Sequence, residues 1–417
     1  MAVSDLPRLS NAPWLQRPET QAVFAALAAR AFAARAVGGA VRNALLGLPV
    51  TDVDIATTAR PDEVVAAAEA AGLKTVPTGI AHGTVTIISS GAAYEVTTLR
   101  RDVETHGRHA TVAFTYDWTA DARRRDFTLN ALYCSAGGEV FDPLSGYADL
   151  MARRVRFIGD ADERIREDYL RILRFFRFTA AYGEGPPDRQ GLDACVRERE
   201  GLAILSGERM REEILRLLAA PRGPELIAAM LDYGLIVPVL GLAPRPTMLA
   251  RLAAVQADLA LEPNTVLRLA ALAVEVREDA ERLRDRLRLS NEDTARLVRA
   301  STRVPAIDPT AAESAARAYL YAHGATGYRE QILLAWARSG DVSASDAWRV
   351  RFALPERWQA PRFPIGGTDV MALGVPAGPR VGALLRTLED WWIAGDFTAD
   401  KAALRAKLGA LVGTTSA

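Results

Sequence analysis

Apolar positions change their spacing about a third of the way along the chain. Up to about Leu150, short runs of β-branched and small residues alternate with helical stretches. AFAARAV (31–37) predicts a strand that ends in Gly38-Gly39 and leads into a helical stretch to Leu46. TDVDIAT (51–57) is a second short strand between Pro49 and Pro61. GTVTIIS (83–89) and YEVTTL (94–99) are β-branched runs about Gly91, the pattern of a hairpin. Segments 129–134 and 140–142 predict edge strands around Gly137-Gly138. Beyond Leu150 apolar residues recur at three- and four-residue spacing, as in Ile165, Tyr169, Ile172, Leu173 and Phe176. Pro221, Pro238, Pro244, Pro246, Pro305 and Pro355 punctuate these helices, and 281–291 predicts a charged amphipathic helix ending in a turn. The class this predicts is α+β, a mixed head followed by an all-α remainder.

Composition narrows the picture. The 417 residues include 51 Lys+Arg and 51 Asp+Glu, so the formal net charge is zero, and 49% are hydrophobic. Zero charge argues against a polybasic, tail-driven binder of polyanions but leaves room for a local basic patch. The apolar share supports a large core spread over two to four domains, at roughly 100–200 residues each. Only Lys74, Lys401 and Lys407 are lysines, so 48 of the basic residues are arginines, the side chain suited to forked contacts with phosphates and base edges. Cys134 and Cys195 have no partner spacing, which fits a reducing compartment and rules out a zinc ribbon. With no apolar leader in 1–20 and no run approaching about 18 uncharged apolar residues, the expectation is a cytoplasmic-type protein without a membrane span.

Four groups of residues carry candidate chemistry. Asp52 and Asp54, at i and i+2 of a strand, point to one side and repel unless a cation lies between them. Mg²⁺ suits such a pair because it takes one or two carboxylates plus substrate phosphates; the alternative is a solvated strand edge. Just upstream, Gly38-Gly39 ends a strand and opens a helix, where backbone N–H groups approach phosphate oxygens and Arg42 adds a forked contact. Alone this is a turn; ten residues before D-x-D it suggests a nucleoside triphosphate site. Glu95, central in YEVTTL, is either a third carboxylate or an edge-strand residue in water. Arg123-Arg124-Arg125 is either a solvated turn or a triphosphate contact in which Asp126 pins one of the arginines.

The fourth group is Glu167-Asp168-Tyr-Leu-Arg171, followed by Arg174 and Arg177. As helix surface pairs these residues contribute only about 0.2–0.5 kcal/mol each. As a recognition device they do more. A carboxylate accepts from the exocyclic amine that cytosine and adenine share, and an arginine donates to the adjacent ring nitrogen, whereas uracil and guanine present a carbonyl. An Asp168–Arg171 pair on a rigid helix would therefore select C and A without a template, with Arg174 and Arg177 directed toward the phosphates.

GGAVRN…TDVDIAT, RRRDFTLNALY, FDPLSGYADL, EDYLRILRFFRF and SGERMREEI, in this order, resemble the motif series of class II tRNA nucleotidyltransferases, the bacterial CCA-adding enzymes and their poly(A) polymerase relatives. These motifs cover about 30–220, and GGTDVMALGVPAGPRVGALLRTLEDWW near the C-terminus resembles the family's tail. The resemblance implies a polymerase-β-like nucleotidyltransferase head (1–150), a helical neck (151–220), a body (221–345) and a tail (346–417) that grip tRNA. It implies Asp52 and Asp54 as Mg²⁺ ligands, with Gly38, Gly39, Arg42 and Arg125 at the triphosphate or ribose. It makes Asp168, Arg171, Arg174 and Arg177 the nucleotide-selecting helix. Asn43 departs from the family's usual GGxVRD. Residues 100–112 resemble the flexible loop of members that add the final A, which favours full CCA addition.

The expected partners are tRNA, CTP and ATP, with no membrane and no protein partner implied, and Mg²⁺ is the expected cofactor. The expected reaction is in-line attack of the tRNA 3′-hydroxyl on the nucleotide α-phosphate with release of pyrophosphate. No histidine stands in a motif suited to general-base work. A poly(A) polymerase on the same scaffold is one rival, and a catalytically silent RNA-binding protein is another. Residues 371–417 hold five basic and four acidic residues, which is not the basic extension a poly(A) polymerase would be expected to carry. By region the charge is −3 for 1–150, +1 for 151–220 and +2 for 221–417, while 153–177 packs eight arginines against five acids. Arginine is concentrated at the proposed nucleotide helix, which predicts a shape-based grip on tRNA with modest salt dependence.

Overall fold

A computed structural model describes residues 6–80, 83–106, 109–340 and 345–414. It divides into two compact units: residues 1–244 with 285–289, and residues 245–284 with 290–417.

The strands of the first unit are β1 (Ala34–Val37), β2 (Asp54–Thr57), β3 (Lys74–Gly79), β4 (Thr84–Ser89), β5 (Ala92–Thr98), β6 (Arg100–His106), β7 (His109–Phe114), β8 (Tyr133–Cys134) and β9 (Val140–Phe141). Seven of them form one sheet in the order β3-β4-β5-β2-β1-β8-β9, and β6 pairs with β7 apart from it. The expected hairpin about Gly91 is β4–β5, closed by Ser90 and Gly91 at φ +50° and +85°, the left-handed turn that a two-residue hairpin loop requires. Of the two expected edge strands only β9 lies at an edge; β8 is confined to Tyr133–Cys134 between β1 and β9, because Thr128–Asn130 form a 3-10 turn. The strand predicted at 31–37 is shorter, because Ala31 sits in a turn at φ +61°. Residues 100–112, read as a loop, belong to the β6–β7 pair; Gly107 and Arg108 lie outside the described residues.

Strand pairing fixes which side chains share a face. Val37 lies opposite Asp54 and Arg35 opposite Ala56, so Asp54 and Ala56 look out on the same side as Val37. That side is packed by Leu99, Ala122, Ala131, Tyr133 and Ile158. The reverse side buries Ile55, Val85, Ile87 and Val96 against helices Pro18–Ala28 and Pro61–Ala70, which supply Val23, Phe24, Leu27 and Val64. Because β1 and β2 are antiparallel, the end of β1 and the start of β2 reach the same rim of the sheet.

After the sheet come helices Ala161–Glu167 and Leu170–Tyr182, with Gly207–Ala219 packed on the latter. A run of aromatic rings ties them to the head. Phe127 lies 4.9 Å from Phe157 and 5.3 Å from Phe178, and Phe157 stacks on Phe175 at 5.4 Å.

The second unit is helical and has two apolar clusters of its own. One gathers Leu320, Tyr328, Ile332, Trp336, Trp348 and Leu354, with the two tryptophans stacked. The other gathers Val370, Leu384, Leu388, Trp392, Leu404 and Leu408. The amphipathic helix predicted at 281–291 is Arg277–Leu287, and Arg288 at φ +51° begins its turn. Among the described residues no helix is long and apolar enough to cross a membrane.

Candidate active site

Gly38 joins β1 to helix Gly39–Leu45 at φ +69°, a conformation that side chains disfavour. A Cβ placed there would lie 3.7 Å from Arg125 Nη1 and 3.7 Å from the Asn130 carbonyl oxygen, so the glycine turn passes directly beside Arg125. Arg42, buried within that helix, donates Nη1 to Asn130 Oδ1 at 2.6 Å and Nη2 to the Tyr182 hydroxyl at 2.7 Å. Its Nε and Nη2 reach Asn43 Oδ1 at 3.1 and 2.9 Å. Asn43 in turn donates Nδ2 to the Pro49 carbonyl at 2.9 Å, a bond that the family's usual Asp has no hydrogen to make. Asn43 therefore both holds Arg42 and braces the chain that leads to Asp52. Burial lowers the Arg42 pKa; Tyr182 opposes this and neighbouring Arg177 adds to it.

Only Asp54 of the two aspartates lies in a strand. It begins β2, and Asp52 precedes it in exposed, irregular chain, so the expected i, i+2 strand pair is half realised. The register sets Asp54 beside Glu95 on the parallel neighbour β5. Asp54 remains exposed, but partial desolvation by the surrounding protein raises its pKa, Glu95 and Asp52 raise it further, and Arg125 opposes them. Negative charge gathered around one carboxylate in this way is relieved by a nearby cation. Among the described residues no cluster of three or more His, Cys, Asp or Glu side chains is poised as a complete metal cage. Asp52 and Asp54 are hard oxygen donors, the kind a divalent ion such as Mg²⁺ takes together with substrate oxygens.

The arginine run behaves differently from expectation. Asp126 does not pin it. Asp121, on helix Trp118–Arg123, takes Arg124 Nε at 2.9 Å and Arg125 Nη2 at 3.2 Å, because i, i+3 and i, i+4 spacing places all three on one helical face. Asp126 is turned inward to Arg174, whose Nε and Nη2 reach its Oδ2 at 2.8 and 2.5 Å, while Asn130 Nδ2 donates to Oδ1 at 3.0 Å. Burial would raise the Asp126 pKa, but Arg174 and the hydrogen bonds from Asn130, Arg174 and Phe127 outweigh it and hold the carboxyl at about 2.

The supposed Asp168–Arg171 helix pair is corrected in its geometry. The helix breaks at Asp168, which adopts φ −157° and ψ 103° between Ala161–Glu167 and Leu170–Tyr182. There Asp168 Oδ1 accepts from Leu170 N at 3.2 Å and Oδ2 from Arg209 Nη2 at 2.6 Å. Arg171 is held instead by Glu167 Oε2 at 2.5 Å and the Arg164 carbonyl at 2.6 Å. Asp168 and Arg171 are still brought to one place, at the start of the same helix. Arg177 Nε is held by Glu213 at 2.5 Å.

A cleft of about 560 Å³ collects these groups. Its wall includes Gly38, Gly39, Arg42, Asp54, Arg125, Asp168, Arg171, Arg174 and Arg177, so nine of the predicted site residues meet in one place. Asp52 and Glu95 are not part of the wall but act on Asp54 electrostatically. Sequence reasoning gave no role to Arg209 or Arg216, which also line the cleft; both lie in or beside the SGERMREEI segment. A separate cleft of about 580 Å³ around Arg156, Asp160, Asp162 and Arg197 contains none of the predicted residues.

A glycine turn, an acidic strand end and a polar break in a following helix, gathered in one arginine-rich cleft, are the marks of a nucleotidyltransferase. Residues 34–156 match the family described as "Poly A polymerase head domain", and 188–244 match "Probable RNA and SrmB- binding site of polymerase A". The chain is 35% identical over 407 residues to the mouse (Mus musculus) CCA tRNA nucleotidyltransferase 1, mitochondrial, covering 93% of this chain and 91% of that protein. It is 32% identical to the CCA-adding enzyme of Limosilactobacillus fermentum, over 91% and 94% of the two chains. The crystal structure of the Bacillus stearothermophilus CCA-adding enzyme in complex with CTP superposes with a TM-score of 0.73 at 28% identity, covering 96% of this chain and 99% of that one. The chain belongs to the CCA-adding tRNA nucleotidyltransferase family.

Proposed function

We propose that this chain completes the 3′ end of tRNA by adding C, C and A from CTP and ATP, using the cleft lined by Gly38, Asp54 and Asp168. One observation carries the reading of the site. Residues suited to phosphates (Gly38, Gly39, Arg42) and residues suited to base edges (Asp168, Arg171) line a single cleft together with the carboxylate of Asp54. The same residues spread over separate surfaces would support binding but not transfer.

Enzymes of this family depend on a divalent metal, and Mg²⁺ is the ion we assign. Asp54 and Asp52 would hold it; when bound, such an ion acidifies the attacking hydroxyl and neutralises charge on the phosphates. The protein's own contribution is placement. Gly38 and Gly39 leave room for phosphate oxygens to approach the backbone, and the N-terminus of helix Gly39–Leu45 favours their charge. Arg42, fixed by Asn43, Asn130 and Tyr182, presents a preorganised cation. Glu95 keeps the potential around Asp54 negative, which strengthens its hold on a cation. Asp168, fixed by Arg209 and by its own backbone turn, offers the acceptor that favours the amines of C and A over the carbonyls of U and G.

The four-part division into head, neck, body and tail at 150, 220 and 345 is retained as our proposal for how the chain is used, with the second unit gripping tRNA. Reaction compartment follows the reading of lone buried thiols as a reducing, cytoplasmic setting. The test is to incubate the protein with tRNA lacking its 3′ end, Mg²⁺ and labelled nucleotides. Addition of C, C, A followed by arrest supports the reading; runs of A point to a poly(A) polymerase, and no incorporation to a silent RNA-binding protein.

A further inference from the structure

Seven arginines line the cleft, and they differ in what neutralises them. Five are matched by carboxylates of the protein: Arg125 by Asp121, Arg171 by Glu167, Arg174 by Asp126, Arg177 by Glu213 and Arg209 by Asp168. Arg42 is held only by uncharged partners, Asn43, Asn130 and Tyr182. Arg216 is exposed at the cleft and, among the described residues, its side chain makes neither an ion pair nor a hydrogen bond. The cleft's uncompensated positive charge therefore resides at Arg42 and Arg216.

Their placement says where that charge acts. Arg209, Glu213 and Arg216 are spaced i, i+4 and i+7 on helix Gly207–Ala219, so they share one face. Along this face Arg209 meets Asp168, Glu213 meets Arg177, and Arg216 ends the row without an acid. At 1.5 Å per residue Arg216 stands about 10 Å beyond the Asp168 contact, about the reach from a nucleobase edge to the outer phosphates of its triphosphate. Arg177 feels Arg216 and is felt by Arg42: its pKa is lowered by burial and then by Arg174 and Arg216, with Glu213 opposing, and it in turn lowers that of Arg42. Like charges assembled in this way are relieved by an anion.

We propose that Arg216 is a nucleotide-binding residue that, with Arg42, grips the outer phosphates of the incoming nucleoside triphosphate. This rests on the functional reading above and adds to it a residue on the helix that also orients Asp168. The grip distinguishes a triphosphate from a monophosphate of the same base, since only the former extends from Asp168 to Arg216.

Equilibrium binding of CTP, CMP and 3′-truncated tRNA to the wild type and to R216A and R216K tests this. The Arg216 side chain is exposed and, among the described residues, makes no ion pair or hydrogen bond, so both variants are expected to melt close to the wild type. R216A should bind CTP about tenfold more weakly while CMP and tRNA change by less than about twofold, and R216K should recover most of the loss. Equal weakening of CTP and CMP, an unchanged CTP affinity, or weakening confined to tRNA would each overturn the inference, the last assigning Arg216 to an RNA phosphate instead. A wild-type protein that failed to bind CTP would contradict the functional reading itself; wild-type binding with an unaffected R216A contradicts only the role of Arg216.

Discussion

Asp126 and Arg174 meet through a two-point contact across 48 residues of sequence: Nε and Nη2 of the guanidinium converge on one carboxylate oxygen, Oδ2, at 2.8 and 2.5 Å. The other oxygen is occupied by Asn130 Nδ2 and by the Phe127 N–H. This pair, with Asp126 buried and Arg174 half-buried, anchors helix Leu170–Tyr182 to the segment that also holds Arg42, because Asn130 is shared between them. Removing the Asp126 charge leaves Arg174 with only its longer contact to Glu213 Oε1, at 3.5 Å. Asp126→Asn is expected to cost about 3 kcal/mol of unfolding free energy, read from the shift in denaturant midpoint.

The same pair sets a pH dependence. The Asp126 carboxyl is depressed to about 2 in the folded protein, against an ordinary value near 3.8. Its contribution, on the order of 2 kcal/mol, is fully present above the ordinary value and lost as pH falls from about 4 to about 2. Unfolding midpoints of wild type and Asp126→Asn should therefore stand apart at neutral pH and converge across that window. A gap that stays constant down to pH 2 would contradict the assignment of the stability to this carboxylate.

Gly38 and Gly47 share a left-handed backbone, at φ +69° and +68°, but only Gly38 lies against the cleft. Alanine at Gly47 should cost roughly 1–2 kcal/mol of stability, and alanine at Gly38, whose ψ of −119° lies outside the left-handed helical well, should cost at least as much. Gly38→Ala should also raise the KM for CTP about tenfold, because its added Cβ comes 3.7 Å from Arg125 and blocks the approach of phosphate to the backbone. Gly47→Ala, with nothing within 4 Å, should leave the kinetics unchanged. Steady-state measurements on the two variants, matched for stability, separate these effects.

Asp168 is oriented by Arg209, so selection should depend on both. Asp168→Ala is expected to lower the rate and to admit UTP and GTP. Arg209→Ala should reproduce part of that loss by leaving the carboxylate free to rotate. Misincorporation assayed with each nucleotide alone decides this: unchanged discrimination in Asp168→Ala removes the residue from the selecting role.

What the sequence made legible was local. Gly38-Gly39 and Asp54 were found because a turn at positive φ and a strand-end carboxylate are written in neighbouring residues, and the β4–β5 hairpin because its turn and alternation coincide. Misreadings arose where partners come from afar. Asp126 was expected to pin an adjacent arginine, but its partner lies 48 residues on, while Asp121 does the pinning at helical spacing. Asp168 was placed within a helix because apolar spacing runs on through 165–176; its Asx-type contact with Leu170 N, a habit of Asp at helix starts, was the available local signal. Arg209 and Arg216 left no signal of their own, since an arginine on an amphipathic helix reads as a solvated face until the opposing wall is known. Asn43 was legible as a departure from the family pattern, but its bond to Pro49 O required the folded loop.

The most direct test of the central claim, that transfer occurs where Asp54, supported by Asp52, shares the cleft with the glycine turn, is single-turnover incorporation of labelled CMP into 3′-truncated tRNA by Asp52→Ala and Asp54→Ala in saturating Mg²⁺. The account predicts that both variants lose incorporation by at least about a thousandfold while still binding tRNA with wild-type affinity. Incorporation at or near the wild-type rate by either variant would contradict it.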